Sequence, residues 1–206
     1  MSSNNNNESH NLEIINHDKN KKNLIIGLTG SVATIKAKLL VESLINSYNI
    51  IVITTETSLK FLSESDIQYI SSKAKIYNDK DEWESHVDIF KRSALHIDLR
   101  KWADSILIAP CSANTLGKIS NGLCDNLLTS LIRAWDYKNK KLIIAPAMNT
   151  MMWENPFTSR HIETMKQLSN NVLFIDPIQK KLFCGDIGMG AMEEVPKIVE
   201  YIIKNV

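Results

Sequence analysis

The sequence predicts a doubly wound α/β domain, a parallel sheet with helices on both faces. Two observations carry this. Short runs that are apolar throughout, such as Leu24-Ile25-Ile26, Ile106-Leu107-Ile108 and Leu142-Ile143-Ile144, recur along the chain. Strands of that kind are buried on both faces, as parallel strands are. Between them lie segments of helical pattern joined by short connections, so strand and helix alternate. At 206 residues the chain suits one such domain with a tail.

Taken in order, residues 1–22 read as a disordered polar tail. The run Asn4-Asn5-Asn6-Asn7 and the basic stretch 19–22 cannot bury enough apolar area to offset their ordering entropy. Residues 12–15 offer only weak packing. The folded domain spans 23–206. Residues 24–28 form the first strand, ending in Thr29-Gly30-Ser31. A helix follows, with Ile35, Leu39, Leu44 and Tyr48 on one side. Residues 50–54 are the second strand, followed by Thr57-Ser58 and a short helix through Phe61. The acidic stretch 79–84 reads as a loop. Residues 105–109 are a third strand stopped by Pro110, and 112–121 and 125–136 are helical. Residues 142–145 form a strand stopped by Pro146. Residues 156–168 are a helix, 172–175 a strand and 195–204 the last helix. No repeat and no internal boundary interrupts them. The expected architecture is flavodoxin-like or Rossmann-like, with ligands at the carboxyl ends of the strands.

Composition excludes several classes. A formal net charge of +1 gives no bulk attraction toward nucleic acid or a membrane surface. No apolar run approaches the ~20 residues that span a bilayer, and no apolar leader precedes the domain. Cys111, Cys124 and Cys184 are odd in number and lack short spacing. That argues against a disulfide framework or a zinc site, and for reduced thiols in a cytoplasmic protein.

The turns after the strands could hold chemistry. Thr29-Gly30-Ser31-Val32-Ala33 lets the backbone approach a ligand and offers free N–H groups to an anion. It lacks the Gly-x-Gly-x-x-Gly pattern of dinucleotide sites, and it also suits an ordinary strand-to-helix turn. Pro110-Cys111-Ser112-Ala113-Asn114-Thr115 and Asn121-Gly122-Leu123-Cys124-Asp125-Asn126 are dense in small polar residues. Helix caps account for some of these. In Pro146-Ala147-Met148-Asn149-Thr150-Met151-Met152-Trp153 the apolar side chains lie in a loop, which favours a ligand or a subunit contact over core. Cys184-Gly185-Asp186-Ile187-Gly188-Met189-Gly190 suits a flap carrying a thiol. His96 opens the segment His96-Ile97-Asp98-Leu99-Arg100-Lys101-Trp102, where a structural histidine is the plain alternative. Neither H-E-x-x-H nor Gly-x-Ser-x-Gly occurs, so zinc and serine hydrolases lack support.

Together these segments resemble the homo-oligomeric flavin-containing cysteine decarboxylases. The resemblance runs from residue 23 to about residue 196. It rests on Pro-Cys-Ser-Ala-Asn-Thr at 110–115, Gly-Leu-Cys-Asp-Asn-Leu-Leu at 122–128, Pro-Ala-Met-Asn-Thr-Met-Met-Trp at 146–153 and Leu-Phe-Cys-Gly-Asp at 182–186. The stretch from His96 to Asp104 is typical of the eukaryotic branch. Each motif is weak alone, and their order and spacing make the signal strong.

The resemblance implies FMN as cofactor. Gly30, Ser31, Thr55 and Ser58 would form its phosphate side, and Ser112, Ala113, Asn114, Thr115 and Ala147 would line the ribityl chain and ring. It implies His96 as catalytic base and Cys184 as proton donor. Asn149 would anchor the substrate carboxylate, and Lys181, Phe183 and Met192 complete the substrate-binding set. A homotrimer with FMN between subunits is implied, acting on the cysteine end of a small phosphorylated molecule on the way to coenzyme A. Phe183 stands where the family usually has alanine, and Cys111 where an apolar residue is commoner. Two other readings stay open. A peptidyl-cysteine decarboxylase would stop at the ene-thiol and not need Cys184. An inhibitory subunit of a protein phosphatase is expected to carry a long acidic tail, whereas this sequence ends at Val206 without one. Flavin prenyltransferases share the fold but not the Pro-Ala-Met-Asn signature.

Overall fold

The computed structural model describes residues 17–83, 94–181 and 187–206, with Leu12 and Ile15 besides. The first half of the domain runs β1 (Lys22–Leu28), a 3-10 turn (Val32–Lys36), α1 (Ala37–Leu44), β2 (Tyr48–Thr54), α2 (Glu56–Leu59), α3 (Glu64–Lys73), β3 (Lys75–Tyr77), α4 (Asp79–Trp83) and α5 (Leu95–Trp102). The second half runs β4 (Ser105–Cys111), α6 (Ala113–Ser120), α7 (Leu127–Arg133), β5 (Lys141–Pro146), α8 (Thr150–Trp153), α9 (Pro156–Leu168), β6 (Val172–Phe174), β7 (Ile178–Lys181), β8 (Ile187–Ala191) and α10 (Val195–Asn205).

β1 to β6 form one sheet in the order β3-β2-β1-β4-β5-β6, and every neighbouring pair is parallel. The doubly wound expectation holds, in its Rossmann-type order. Along β1, Leu24, Ile26 and Leu28 enter one core layer with Leu40, Leu44, Ile198 and Ile202. Ile25 enters the other with Leu99, Leu116, Leu128 and Leu131. This alternation with both faces buried is why the strands read as unbroken apolar runs.

Several elements differ from expectation. The stripe through Ile35 and Leu39 faces outward; Ala37, Leu40, Val41 and Leu44 face the core. The 3-10 turn before α1 shifts the helical phase, and Tyr48 already belongs to β2. The acidic stretch is not a free loop. It forms α4, and its carboxylates are engaged: Asp79 Oδ1 accepts from the backbone N–H of Leu127 at 2.7 Å, and Asp81 Oδ2 from that of Asn78 at 2.7 Å. β3 carries no strong sequence signal and was not anticipated. The glycine-rich segment pairs its second half with β7 as an antiparallel hairpin.

The amino edge of the sheet holds the other end of the chain. Lys22 Nζ donates to the carbonyl of Val206, and Lys141 Nζ to that of Asn205. Asp18 and Lys21 are tied there through Asn49, whose Nδ2 donates to both their carbonyls, at 2.8 and 3.1 Å. Leu12 packs against one core layer.

Candidate functional site

The strand order reverses between β1 and β4, so a crevice opens beyond their carboxyl ends. Thr29 forms its floor. Fully buried, it donates from Oγ1 to the carbonyl of Pro110 at 2.7 Å and accepts from the backbone N–H of Ser112 at 2.8 Å. One side chain thus ties together the two turns that flank the crevice. The Ala109–Pro110 bond in that turn is cis.

Ser31 caps the 3-10 turn, accepting from the backbone N–H of Ala33 at 3.4 Å. Its own hydroxyl proton has no acceptor among the described residues. Gly30 is pressed by its neighbour after β2, since a Cβ there would lie 2.9 Å from Thr57 Cβ. Thr55 caps α2, and its backbone N–H donates to Leu28 at 3.1 Å, which joins the second turn to the first. Ser58 is fully buried, and its hydroxyl donates to Thr55 O at 2.7 Å. It shapes the turn.

Ser112 caps α6, accepting from Thr115 N and donating to Thr115 Oγ1, both at 3.2 Å. Ala113 is half-buried, and Asn114 is exposed with no bond to a described residue. Ala147 is buried beside them, its N–H donating to Cys111 O at 2.9 Å. Burial pushes the Cys111 thiol far above the ordinary thiol range, which makes it inert packing.

Asn149 caps α8, accepting from the backbone N–H of Met151 at 2.8 Å. The loop is backed by β8, where Gly190 O accepts from Met148 N at 2.9 Å. Met192 is buried, in the core layer beneath α10. Lys181 ends β7. Phe183 and Cys184 lie outside the described residues.

His96 sits in the first turn of α5. α5 returns to the start of β4, so its beginning lies at the same carboxyl edge as the crevice. Its partner was not foreseen. His96 Nδ1 lies 2.7 Å from Glu82 Oε1, and Glu82 Oε2 accepts from the His96 backbone N–H at 3.1 Å. Among the described residues these are its recorded bonds, and none joins it to Asn149 or the crevice turns. The ties that Thr29 makes, the place of Glu82 and the buried hydroxyl of Thr54 are what the sequence did not reveal.

The residues fit a flavin phosphate and ribityl chain. Ser31 has a proton to give, Asn114 a free amide, and the Thr54 hydroxyl at the end of β2 is buried with no partner among the described residues. A doubly wound sheet with small polar turns at its switch point suits a flavoprotein, among the classes that share this fold. The chain belongs to the Flavoprotein family, whose model matches residues 12–206. It is 77% identical to the "Putative phosphopantothenoylcysteine decarboxylase" of Dictyostelium discoideum, over 94% of this chain and 98% of that protein. Among solved structures it resembles a cysteine-to-serine mutant of PPC decarboxylase complexed with pantothenoylaminoethenethiol. The TM-score is 0.83 at 45% identity, covering 89% of this chain and 97% of the other. The FMN binding protein AtHal3 superposes with TM-score 0.80 at 45% identity, over 89% and 96% of the two chains.

Proposed function

We propose that this chain is an FMN-dependent carboxy-lyase that converts 4′-phosphopantothenoylcysteine to 4′-phosphopantetheine in coenzyme A biosynthesis. The observation that carries it is His96: one ring nitrogen lies 2.7 Å from a buried carboxylate, and the other has no recorded partner among the described residues. Ser31 and Thr55, with the backbone of Gly30, hold the phosphate. Ser112, Ala113, Asn114, Thr115 and Ala147 line the rest of the cofactor.

FMN held by these residues would supply the hydride acceptor for the cysteine β-carbon and the donor that returns the hydride. His96 Nε2 takes the thiol proton during the oxidation, leaving a thioaldehyde. Loss of CO2 then places the electron pair on sulfur as an ene-thiolate, a better sink than the original β-carbon thiol provides. Asn149 holds the carboxylate by neutral hydrogen bonds, so it orients the group without stabilising its charge as arginine would. Cys184 supplies the final proton, and Lys181 and Phe183 contact the substrate arm. The assembly is a homotrimer with FMN between subunits, supported by Met151, 72% exposed, and by exposed Met152 and Phe157 around the Asn149 loop. Free thiols at Cys111 and Cys124 support a cytoplasmic setting.

The test is direct. The purified protein should release FMN on heating and CO2 from the named substrate. Cys184→Ser should still release CO2 and accumulate the oxidised ene-thiol, whereas His96→Asn should abolish both. FAD in place of FMN, or equal loss of CO2 in the two variants, refutes the assignment.

A further inference from the structure

We infer that Glu82 is a positioning residue that fixes the tautomer of His96; the inference rests on His96 being the base proposed above. Glu82 comes from a different helix, fourteen positions earlier in the chain. Its side chain is only 6% exposed, while that of His96 is 25% exposed. α4 is short, but Asp79 anchors it to the start of α7, so the carboxylate is presented from a fixed support.

Both carboxylate oxygens are committed. Oε2 accepts from the His96 backbone N–H and serves as the cap that α5 lacks, since Ala94 at its N-cap offers no side-chain bond. Oε1 faces Nδ1. A carboxylate oxygen can only accept, so Nδ1 carries a proton, and in the neutral ring the lone pair is on Nε2. That is the state a general base requires. Without Glu82 the ring is free to hold the proton on either nitrogen and to rotate.

The division between the two oxygens makes Glu82→Gln a sharp test. The glutamine is isosteric but has one acceptor and one NH2. Its carbonyl is needed by the backbone N–H of His96, which turns the NH2 toward Nδ1. That geometry reverses the tautomer, leaving Nδ1 bare and the proton on Nε2, while the helix cap survives. In the flavin-loaded protein, Glu82→Gln should keep the wild-type melting temperature and FMN content. Nitrogen-15 NMR of the imidazole should show the proton moved from Nδ1 to Nε2. The turnover number kcat should fall by roughly 10²–10⁴-fold, the usual contribution of a positioned base, with KM little changed. Glu82→Ala should lose both the cap and the tautomer preference, lowering the melting temperature as well. A purely structural Glu82 would move melting temperature and kcat together and leave the tautomer of Glu82→Gln as in wild type; that result overturns the inference. Wild-type kcat in Glu82→Gln, with His96→Asn inactive, also overturns it. Wild-type kcat in His96→Asn would instead remove the base assignment on which it stands.

Discussion

Glu194, just before α10, accepts hydrogen bonds from Lys180 on β7 at 2.7 Å and from Lys36 in the first turn at 2.9 Å. These bonds, Lys180's first, hold its carboxyl at about 2, well below its ordinary 4.5. A lowered folded-state value stabilises above the unfolded value and is lost as pH falls toward the folded one. The side chain is 43% exposed, so solvent screening keeps the contribution under about 1 kcal/mol. Glu194→Gln should therefore melt slightly lower than wild type at neutral pH, and the difference should close between about pH 4.5 and pH 2. A gap that persists at the acid end, followed by calorimetry, would assign the effect to packing. Among the site residues, Ser31, Ser112 and Asn149 are legible in the sequence because each caps the element directly after a strand, through bonds spanning two or three residues. Thr29 and Glu82 are not, because their partners lie 81, 83 and 14 residues away. No local pattern records contacts that only the folded sheet creates.

The β7–β8 hairpin has the same character at the scale of an element. Its glycines weaken any strand signal, yet they are what allow it to lie against the Asn149 loop. Gly190 has φ of +127°, and a Cβ there would collide with the carbonyl of Met148. Gly190→Ala should cost more than about 1 kcal/mol, because the residue can neither adopt that φ nor keep the bond from Met148 N. Since the bond sets the height of the Asn149 loop, KM should rise while FMN content stays constant. An unchanged KM in a destabilised protein would separate the hairpin from the substrate loop. The long apolar strands and α9 and α10 are legible from their periodicity, although β4 runs on through Pro110 to Cys111 and β5 takes in Pro146, beyond the stops that the prolines suggest. β3 is three residues with little pattern of its own, and it is a strand because β2 pairs with it. α4 is concealed by its charge, whose partners belong to α5 and α7.

At the scale of the molecule, the doubly wound architecture was readable from apolar runs alone, since each strand fills two core layers at once. Assembly is not written so plainly. In the proposed trimer, His96 faces a site completed by Asn149 and Cys184 of the neighbouring chain. Inactive His96→Asn and inactive Asn149→Asp chains, coexpressed, should then regain part of the activity, because some interfaces in a mixed trimer pair two intact halves. No recovery, in oligomers that mass spectrometry shows to be mixed, would place each site within one chain. The bonds from Lys22 to Val206 and from Lys141 to Asn205 bear on a different property. They bring positions 184 residues apart to a single rim, opposite the catalytic one. Polypeptide appended at either position therefore grows away from the chemistry. The domain is a module that can be spliced into longer proteins, or rejoined end to end and reopened elsewhere, without its cofactor crevice being obstructed.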